Sequence, residues 1–165
     1  MTPQILEWML DTRKRLQVAS GRVLEVGSRD VNGTARWVLM DAVSWLGIDL
    51  EAGPGVDVVG DAEVLDWTRY AGVCDTVVCC ETLEHVVHPW IVVEGMRACL
   101  RPGGHMWIST PTIGFPEHRY PVDCFRYLED AYRLWIYHGW ELLALDHVVD
   151  SAGGPGIVAV GRKPV

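Results

Sequence analysis

The residues best equipped for chemistry are Glu81, Glu84 and His85, in the string Glu81-Thr82-Leu83-Glu84-His85, with His88 just beyond it. Carboxylates and imidazoles exchange protons near neutrality and also bind cations, so acid–base catalysis is the first chemistry on offer. His85 and His88 are candidate bases for an acceptor that keeps its proton. The plainer account of each is a histidine that ties its loop together through ring hydrogen bonds. A second concentration is Glu117-His118-Arg119-Tyr120-Pro121-Val122-Asp123-Cys124-Phe125-Arg126-Tyr127. There His118 and Asp123 could polarise an acceptor, and Arg119 and Arg126 could grip a carboxylate or phosphate. Asp123 and Arg126, three apart, equally suit a pair that staples the loop.

A third group sits early in the chain, where Val23-Leu24-Glu25-Val26 breaks at Gly27 and continues Ser28-Arg29-Asp30-Val31-Asn32-Gly33. An apolar strand that turns at a glycine into a helix start is a small-molecule crevice in an open parallel sheet. A dinucleotide needs G-x-G-x-x-G for its pyrophosphate, and Arg29 stands where the middle glycine belongs. Ser28, Asp30, Asn32 and free backbone amides at the turn suit a compact amino-acid end instead. Asp49, ending the next apolar run, can accept from a ribose diol, or can be a solvated turn carboxylate. Asp61 can face an exocyclic amine, though an N-cap ahead of Ala62-Glu63-Val64 is its simpler role.

The elements that must position these groups follow from the pattern. Ile5, Leu6, Met9, Leu10 and Leu16 recur at helical spacing after Thr2-Pro3, predicting an amphipathic helix on one flank of a sheet. Strands are predicted over Val23–Val26, Ser44–Leu50, Val56–Val59, Cys74–Cys80, His105–Thr110, Glu141–Val149 and Ile157–Arg162. Helices are predicted near Thr34–Met40, Ala62–Tyr70, Pro89–Leu100 and Glu129–His138. Cys74–Cys80 is the most continuous apolar strand of the chain, and that near-continuous hydrophobicity marks a central strand buried on both faces. Pro111–Leu128 reads as a long functional loop that walls the site. The tryptophans are scattered, and core packing accounts for positions such as Trp90 and Trp107. Five α/β alternations followed by a hairpin predict an α/β, Rossmann-like, doubly wound sheet. It is mostly parallel and seven-stranded, with a C-terminal antiparallel β-hairpin, in one domain over 1–165.

In order, Val23-Leu24-Glu25-Val26-Gly27, Gly47-Ile48-Asp49, Gly60-Asp61-Ala62, Asp75 to Val86 and Leu100-Arg101-Pro102-Gly103-Gly104 resemble the class I S-adenosylmethionine-dependent methyltransferases. Arg29 departs from that family's usual second glycine. The resemblance implies S-adenosyl-L-methionine as cofactor. Glu25, Gly27 and Ser28 would lie near its methionine moiety, Asp49 at the ribose, Asp61 and Ala62 beside the adenine, and Glu81 on the floor near the sulfonium, with Leu50 a further cofactor contact. His85, Glu81 and His118 are the catalytic candidates. Glu81, Glu84 and His85 also resemble a metal-assisted variant among quinone-precursor O-methyltransferases. The same string occurs in metal-free relatives, and no metal ligands are assigned.

The chain has 165 residues and a formal net charge of −8, so diffuse attraction to phosphate backbones does not drive binding and a nucleic-acid acceptor is disfavoured. A small-molecule acceptor is expected, with a homodimer possible as a roof over so small a domain. Five cysteines without a C-x-x-C fit a reducing cytoplasm. Glu7 and Asp11 interrupt the first apolar stretch, which argues against a signal peptide, and no run is long enough to span a membrane. Two other readings stay open: a non-catalytic cofactor-binding or scaffold protein on the same fold, and a nicotinamide-dependent enzyme, which the missing glycine and the terminal hairpin oppose.

Overall fold

The computed structural model describes residues Met1–Val165. Strands β1 (Arg22–Val26), β2 (Ser44–Asp49), β3 (Val58–Val59), β4 (Cys74–Cys80), β5 (Leu100–Pro111), β6 (Glu141–Val149) and β7 (Pro155–Arg162) form one sheet in the order β3-β2-β1-β4-β5-β7-β6. β1 to β5 are parallel, and β7 runs antiparallel between β5 and β6. The predicted sheet, its terminal hairpin included, is therefore the observed one. The chain reverses direction across the sheet between β1 and β4, so the crevice at their carboxyl ends is the switch point.

Side-chain alternation on β4 divides the core in two. Val77 and Cys79 face α2 (Pro89–Cys99), where Val92, Val93, Met96 and Cys99 are buried. Val78 and Cys80 face α1 (Pro3–Leu16), whose Ile5 and Met9 pack with Trp107, Val158 and Val160. Trp107 meets the edge of Trp8 at 6.0 Å. Trp90 is not a core residue as expected but half exposed, because it falls off the Val92, Val93, Met96 stripe of α2.

Of the predicted helices, only α1 on the flank and the crossover helix α2 form at length. Near Thr34–Met40 there is a single tight turn, Ala35–Trp37, capped by Thr34. Ala35, Val38 and Leu39 need just one turn to reach the core, and Asp41 is then captured by Ser20 and Arg13, which ends it. Ala62–Tyr70 is likewise a turn followed by the tight helix Trp67–Tyr70. Asp61 accepts from the Glu63 amide (2.8 Å) and Asp66 from the Thr68 amide (3.3 Å), which diverts the backbone from a longer helix. β3 keeps only two paired residues, because Asp57 bonds Gly47 through both backbone and side chain before β3 begins.

The Glu129–His138 segment begins as α3 (Glu129–Ala131) and widens into a π-helical turn, Tyr132–Ile136. The wider turn, closed by the Tyr137 amide on the Tyr132 carbonyl at 2.9 Å, puts two tyrosines five apart on one face. Both are buried, and their hydroxyls donate to carbonyls of the sheet: Tyr132 to Ile157, Tyr137 to Met106 and Ala159.

Candidate active site

Glu81 follows β4 directly and has a φ of +52°, in the left-handed region that costs a non-glycine residue about 1–2 kcal/mol. Its amide donates to the Ser109 carbonyl (3.0 Å), and the Ser109 hydroxyl donates to its Oε1 (2.9 Å), so β5 fixes this backbone from the side. Burial pushes the Glu81 carboxyl up to about 7, and the neighbouring Glu84 adds to the rise. A partly buried carboxyl, raised toward neutrality and held on strained backbone, thus lies at the switch point.

The turn after β1 is tighter than its sequence suggests. Gly27 has a φ of +75°, and a Cβ there would stand 2.0 Å from the Thr82 Oγ1. Most of the expected free amides are already spent. Those of Gly27 and Ser28 donate to the Ile48 carbonyl, that of Asp30 to Pro54, and that of Gly33 to the Asp30 side chain. No helix follows directly to supply others, since the next regular turn begins at Ala35. What the turn does offer is a buried Ser28 hydroxyl with no partner in the chain. Arg29 pairs with Glu51 and lies against Gly53, where a Cβ would be 3.0 Å from its Cγ. It folds away over the loop after β2.

Asp49, at the end of β2, accepts from the Arg29 amide (3.0 Å) and the Glu51 amide (3.2 Å), one bond to each oxygen. A carboxylate has about four acceptor positions, so two remain for a diol. Leu50 is exposed beside it. Asp61 caps its own turn and is exposed, with Ala62 partly buried behind it. Glu25 is 3% exposed and accepts from Trp45 Nε1 at 3.1 Å. Burial pushes its carboxyl up to about 7, against the opposing pull of Trp45 and Arg36.

The loop that connects β5 to α3 closes over the β4 end. Tyr127 donates its hydroxyl to the Leu83 carbonyl (3.0 Å), its amide goes to Pro111, and the Cys124 amide donates to the Glu84 carbonyl at 2.7 Å. Arg126 donates to Asp123 Oδ2 (2.7 Å) and to the carbonyls of Phe115, Pro116 and Phe125. It is a staple, as the alternative reading had it, and has no fork to spare for a substrate. Arg119 pairs with Glu117 in solvent, away from any enclosed site.

This closure brings His118 to Glu84 and His85. Glu84 has no exposed surface and no hydrogen-bond partner for either carboxylate oxygen. Its Oε1 is 3.6 Å from His85 Nε2 and 3.6 Å from His118 Nε2. The two rings meet edge to face with centroids 4.8 Å apart. His85 Nδ1 is 2.6 Å from the Val122 carbonyl, and the His118 amide donates to Asp123 at 2.7 Å. The Glu84 carboxylate holds His118 above the ordinary imidazole value, with burial opposing and Asp123 assisting. His88 lies outside this group: it and the amides of Val87 and His88 are tied to Glu63. Of the catalytic candidates, then, His85 and His118 converge on Glu84 while Glu81 is bonded to Ser109 at the end of β4, and the cofactor candidates lie in β1 and at the ends of β1, β2 and β3. Ser109, Thr82, Tyr127 and Asp123 as the support of His118 were not singled out as site residues in those roles. Only Ser109 left a signal, as a polar residue where a central strand must end.

A strand order that reverses at β1 and β4, a terminal antiparallel hairpin and acidic residues at successive strand ends define a Rossmann-like methyltransferase fold. The comparisons agree. A family model described as "Methyltransferase domain" matches residues 4–148. The chain is 39% identical over 61 residues to the ubiquinone biosynthesis O-methyltransferase of Pectobacterium atrosepticum, covering 37% of this chain and 25% of that one. It is 41% identical over 79 residues to the enzyme of the same name from Paraburkholderia xenovorans, covering 48% and 34%. The chain thus matches about a quarter to a third of the length of these curated relatives. Among solved structures, the 1,6-didemethyltoxoflavin-N1-methyltransferase of Burkholderia thailandensis, crystallised with its acceptor and S-adenosylhomocysteine, superposes with a TM-score of 0.74. Its sequence is 18% identical, and the match covers 99% of this chain and 80% of that one. The N-methyltransferase NodS of Bradyrhizobium japonicum, also with S-adenosylhomocysteine, gives 0.73 at 16% identity, covering 97% and 86%. The chain belongs to the methyltransferase domain family. No helix is long and apolar enough to cross a membrane.

Proposed function

We propose that the chain moves a methyl group from S-adenosylmethionine to a hydroxyl of a small-molecule acceptor. The carrying observation is the placement of Glu84, His85 and His118 beside Glu81 at the switch point. The residues present fit the cofactor. Asp49 keeps acceptor positions for the ribose diol, the unpartnered Ser28 hydroxyl and the buried Glu25 suit the amino-acid end, and Leu50, Asp61 and Ala62 border the adenine side. When bound, the cofactor supplies an electrophilic methyl on a sulfonium.

Most of the rate in such a displacement comes from holding the acceptor in line and excluding water. The loop over 112–128 does both, pinned by Tyr127, Cys124 and Arg126. An amine offers its lone pair without help, whereas a hydroxyl must lose its proton. His85 and His118, whose Nε2 atoms converge on Glu84, and the adjoining Glu81 supply groups for that task. The matched stretch of the curated relatives, O-methyltransferases by name, supports the same acceptor atom. The net charge of −8 favours a small molecule over a polyanion.

Calorimetry with S-adenosylmethionine, followed by methyl transfer to a panel of phenols, catechols and aryl amines, tests this reading. Cofactor binding with turnover on hydroxyl acceptors is expected. Folded protein that binds no cofactor, or that methylates only the amines, would overturn it.

A further inference from the structure

Charge is divided unevenly between the two ends of the sheet. At the amino ends of the strands stand Arg22 and Arg101, both paired with Asp75, Arg162 on Glu141, and Lys163, whose ammonium donates to the carbonyls of Arg97 (2.8 Å) and Leu100 (2.6 Å). The last turn of α1 adds Arg13, Lys14 and Arg15 on the same side, so both lysines of the chain are far from the switch point. Nearer the carboxyl ends every arginine is already matched by an acid. Arg29 is paired with Glu51, Arg36 with Asp57, Arg119 with Glu117, Arg126 with Asp123 and Arg133 with Glu129.

The acids of the crevice are not matched in return. Glu25 accepts from Trp45, Asp49 and Asp61 from backbone amides, Glu81 from Ser109, and Glu84 from nothing. His118 is the remaining source of positive charge, and it faces two carboxylates at once, Glu84 Oε1 and Asp123 Oδ2, each at 3.6 Å. Arg126, on the loop that carries His118, has the planar fork of an anion clamp. That fork is closed. It donates to Asp123 Oδ2 (2.7 Å) and to the carbonyls of Phe115, Pro116 and Phe125, and the Phe115 ring centroid lies 5.8 Å from its guanidinium carbon.

We infer that the acceptor is a hydroxyl compound without a carboxylate or phosphate, neutral or cationic, and that Asp123 sets this preference by cancelling the charge of Arg126. A carboxylate brought into the crevice meets Glu81 and Glu84 and no open guanidinium fork, so it loses its water without gaining an ion pair. A neutral ring loses little by the same transfer, and an ammonium gains. The loop also turns Ile113, Val122 and Phe125 outward, apolar surface that suits such a ring. A positive cofactor is drawn in by the same field. The inference rests on the methyl-transfer reading of the crevice and names its substrate class. It replaces the grip on a carboxylate or phosphate that Arg119 and Arg126 offer in the sequence.

Three catechols of one size, substituted with a methyl, an aminomethyl or a carboxylate group, test it when titrated near neutral pH into the full-length protein, with and without S-adenosylhomocysteine. The methyl and aminomethyl rings should bind saturably, and the carboxylate ring at least tenfold more weakly than the methyl one. Asp123→Asn, which leaves Arg126 without its counter-charge, should narrow that gap at least threefold by strengthening the carboxylate ring. If the variant loosens the loop, so that the methyl ring weakens as well, the ranking on the parent protein decides alone. A carboxylate ring bound as tightly as the methyl ring would overturn the inference. So would a gap unmoved by Asp123→Asn while the methyl ring binds as before, or a protein that binds none of the three. S-adenosylhomocysteine affinity, measured on the same samples, separates the two readings. Its absence from folded protein refutes methyl transfer and leaves the ranking of the rings to judge the charge assignment, whereas its presence without a ranking by charge refutes only the latter.

Discussion

Replacing Glu25 by Gln makes a charge argument measurable. The side chain is 3% exposed and accepts from Trp45 Nε1 at 3.1 Å, a bond that the amide oxygen of a glutamine can also accept. Burial lifts the carboxyl from 4.5 to about 7. Between those values the folded chain holds a proton that the unfolded chain has released. The raised group therefore favours the folded state fully below about pH 4.5, and that support drains away as the pH climbs to about 7. Each pH unit is worth about 1.4 kcal/mol, so the whole interval is worth about 3 kcal/mol. Glutamine does not titrate. Glu25→Gln should therefore match the parent near pH 4.5 and exceed it by about 3 kcal/mol near pH 8, roughly 10 °C in unfolding midpoint for a chain of this size. Urea unfolding across that range, followed by tryptophan fluorescence with m-values compared, measures the gap. A gap that does not change with pH, or a variant less stable at pH 8, refutes the assignment of a buried, destabilised carboxyl. The same variant should bind S-adenosylmethionine more weakly, since a carboxylate opposite an ammonium is lost.

The remaining predictions concern the turn and the loop. Gly27→Ala should cost at least about 2 kcal/mol in urea unfolding, from left-handed backbone and collision with Thr82. Adding Thr82→Ala should return only part of it, and full recovery would show that φ is not the obstacle. Asp49→Ala should weaken S-adenosylmethionine more than tenfold by calorimetry, and an unchanged dissociation constant would remove Asp49 from the ribose site. Arg29→Ala should change that constant less than threefold, because the side chain is committed to Glu51; a larger loss would place Arg29 over the cofactor. Arg126 holds Asp123 well below the usual carboxylate range, a stabilisation present above pH 4 and lost as acid is added. Asp123→Asn should thus lower stability by about 1–2 kcal/mol at neutral pH and speed proteolysis within 112–127, with the gap closing below about pH 3. A gap that persists in acid would point to shape rather than charge.

Much of this protein is legible without coordinates. The near-continuous apolar run of Cys74–Cys80 marks the central strand because a strand buried on both faces keeps few polar side chains, and the hairpin glycines at 153–156 announce the antiparallel ending. Strand-end acids such as Asp49 are placed by the same logic, since the strand that ends at them is fixed by its pattern. What local pattern could not decide is the fate of groups whose partners are distant in sequence. The amides of Gly27, Ser28 and Asp30 look free until Ile48 and Pro54 are folded onto them, and only the fold shows that the Arg29 side chain is taken by Glu51. Predicted helices shrank to turns where Asp41, Asp61 and Asp66 found partners that competed with the backbone. The meeting of His118 with Glu84 and His85 depends on an irregular loop pinned by Tyr127, Cys124 and Arg126, and irregular backbone has no period to read. The strand and helix pattern therefore fixed the fold and the address of the site, while side-chain contacts across the sheet decided which residues share it.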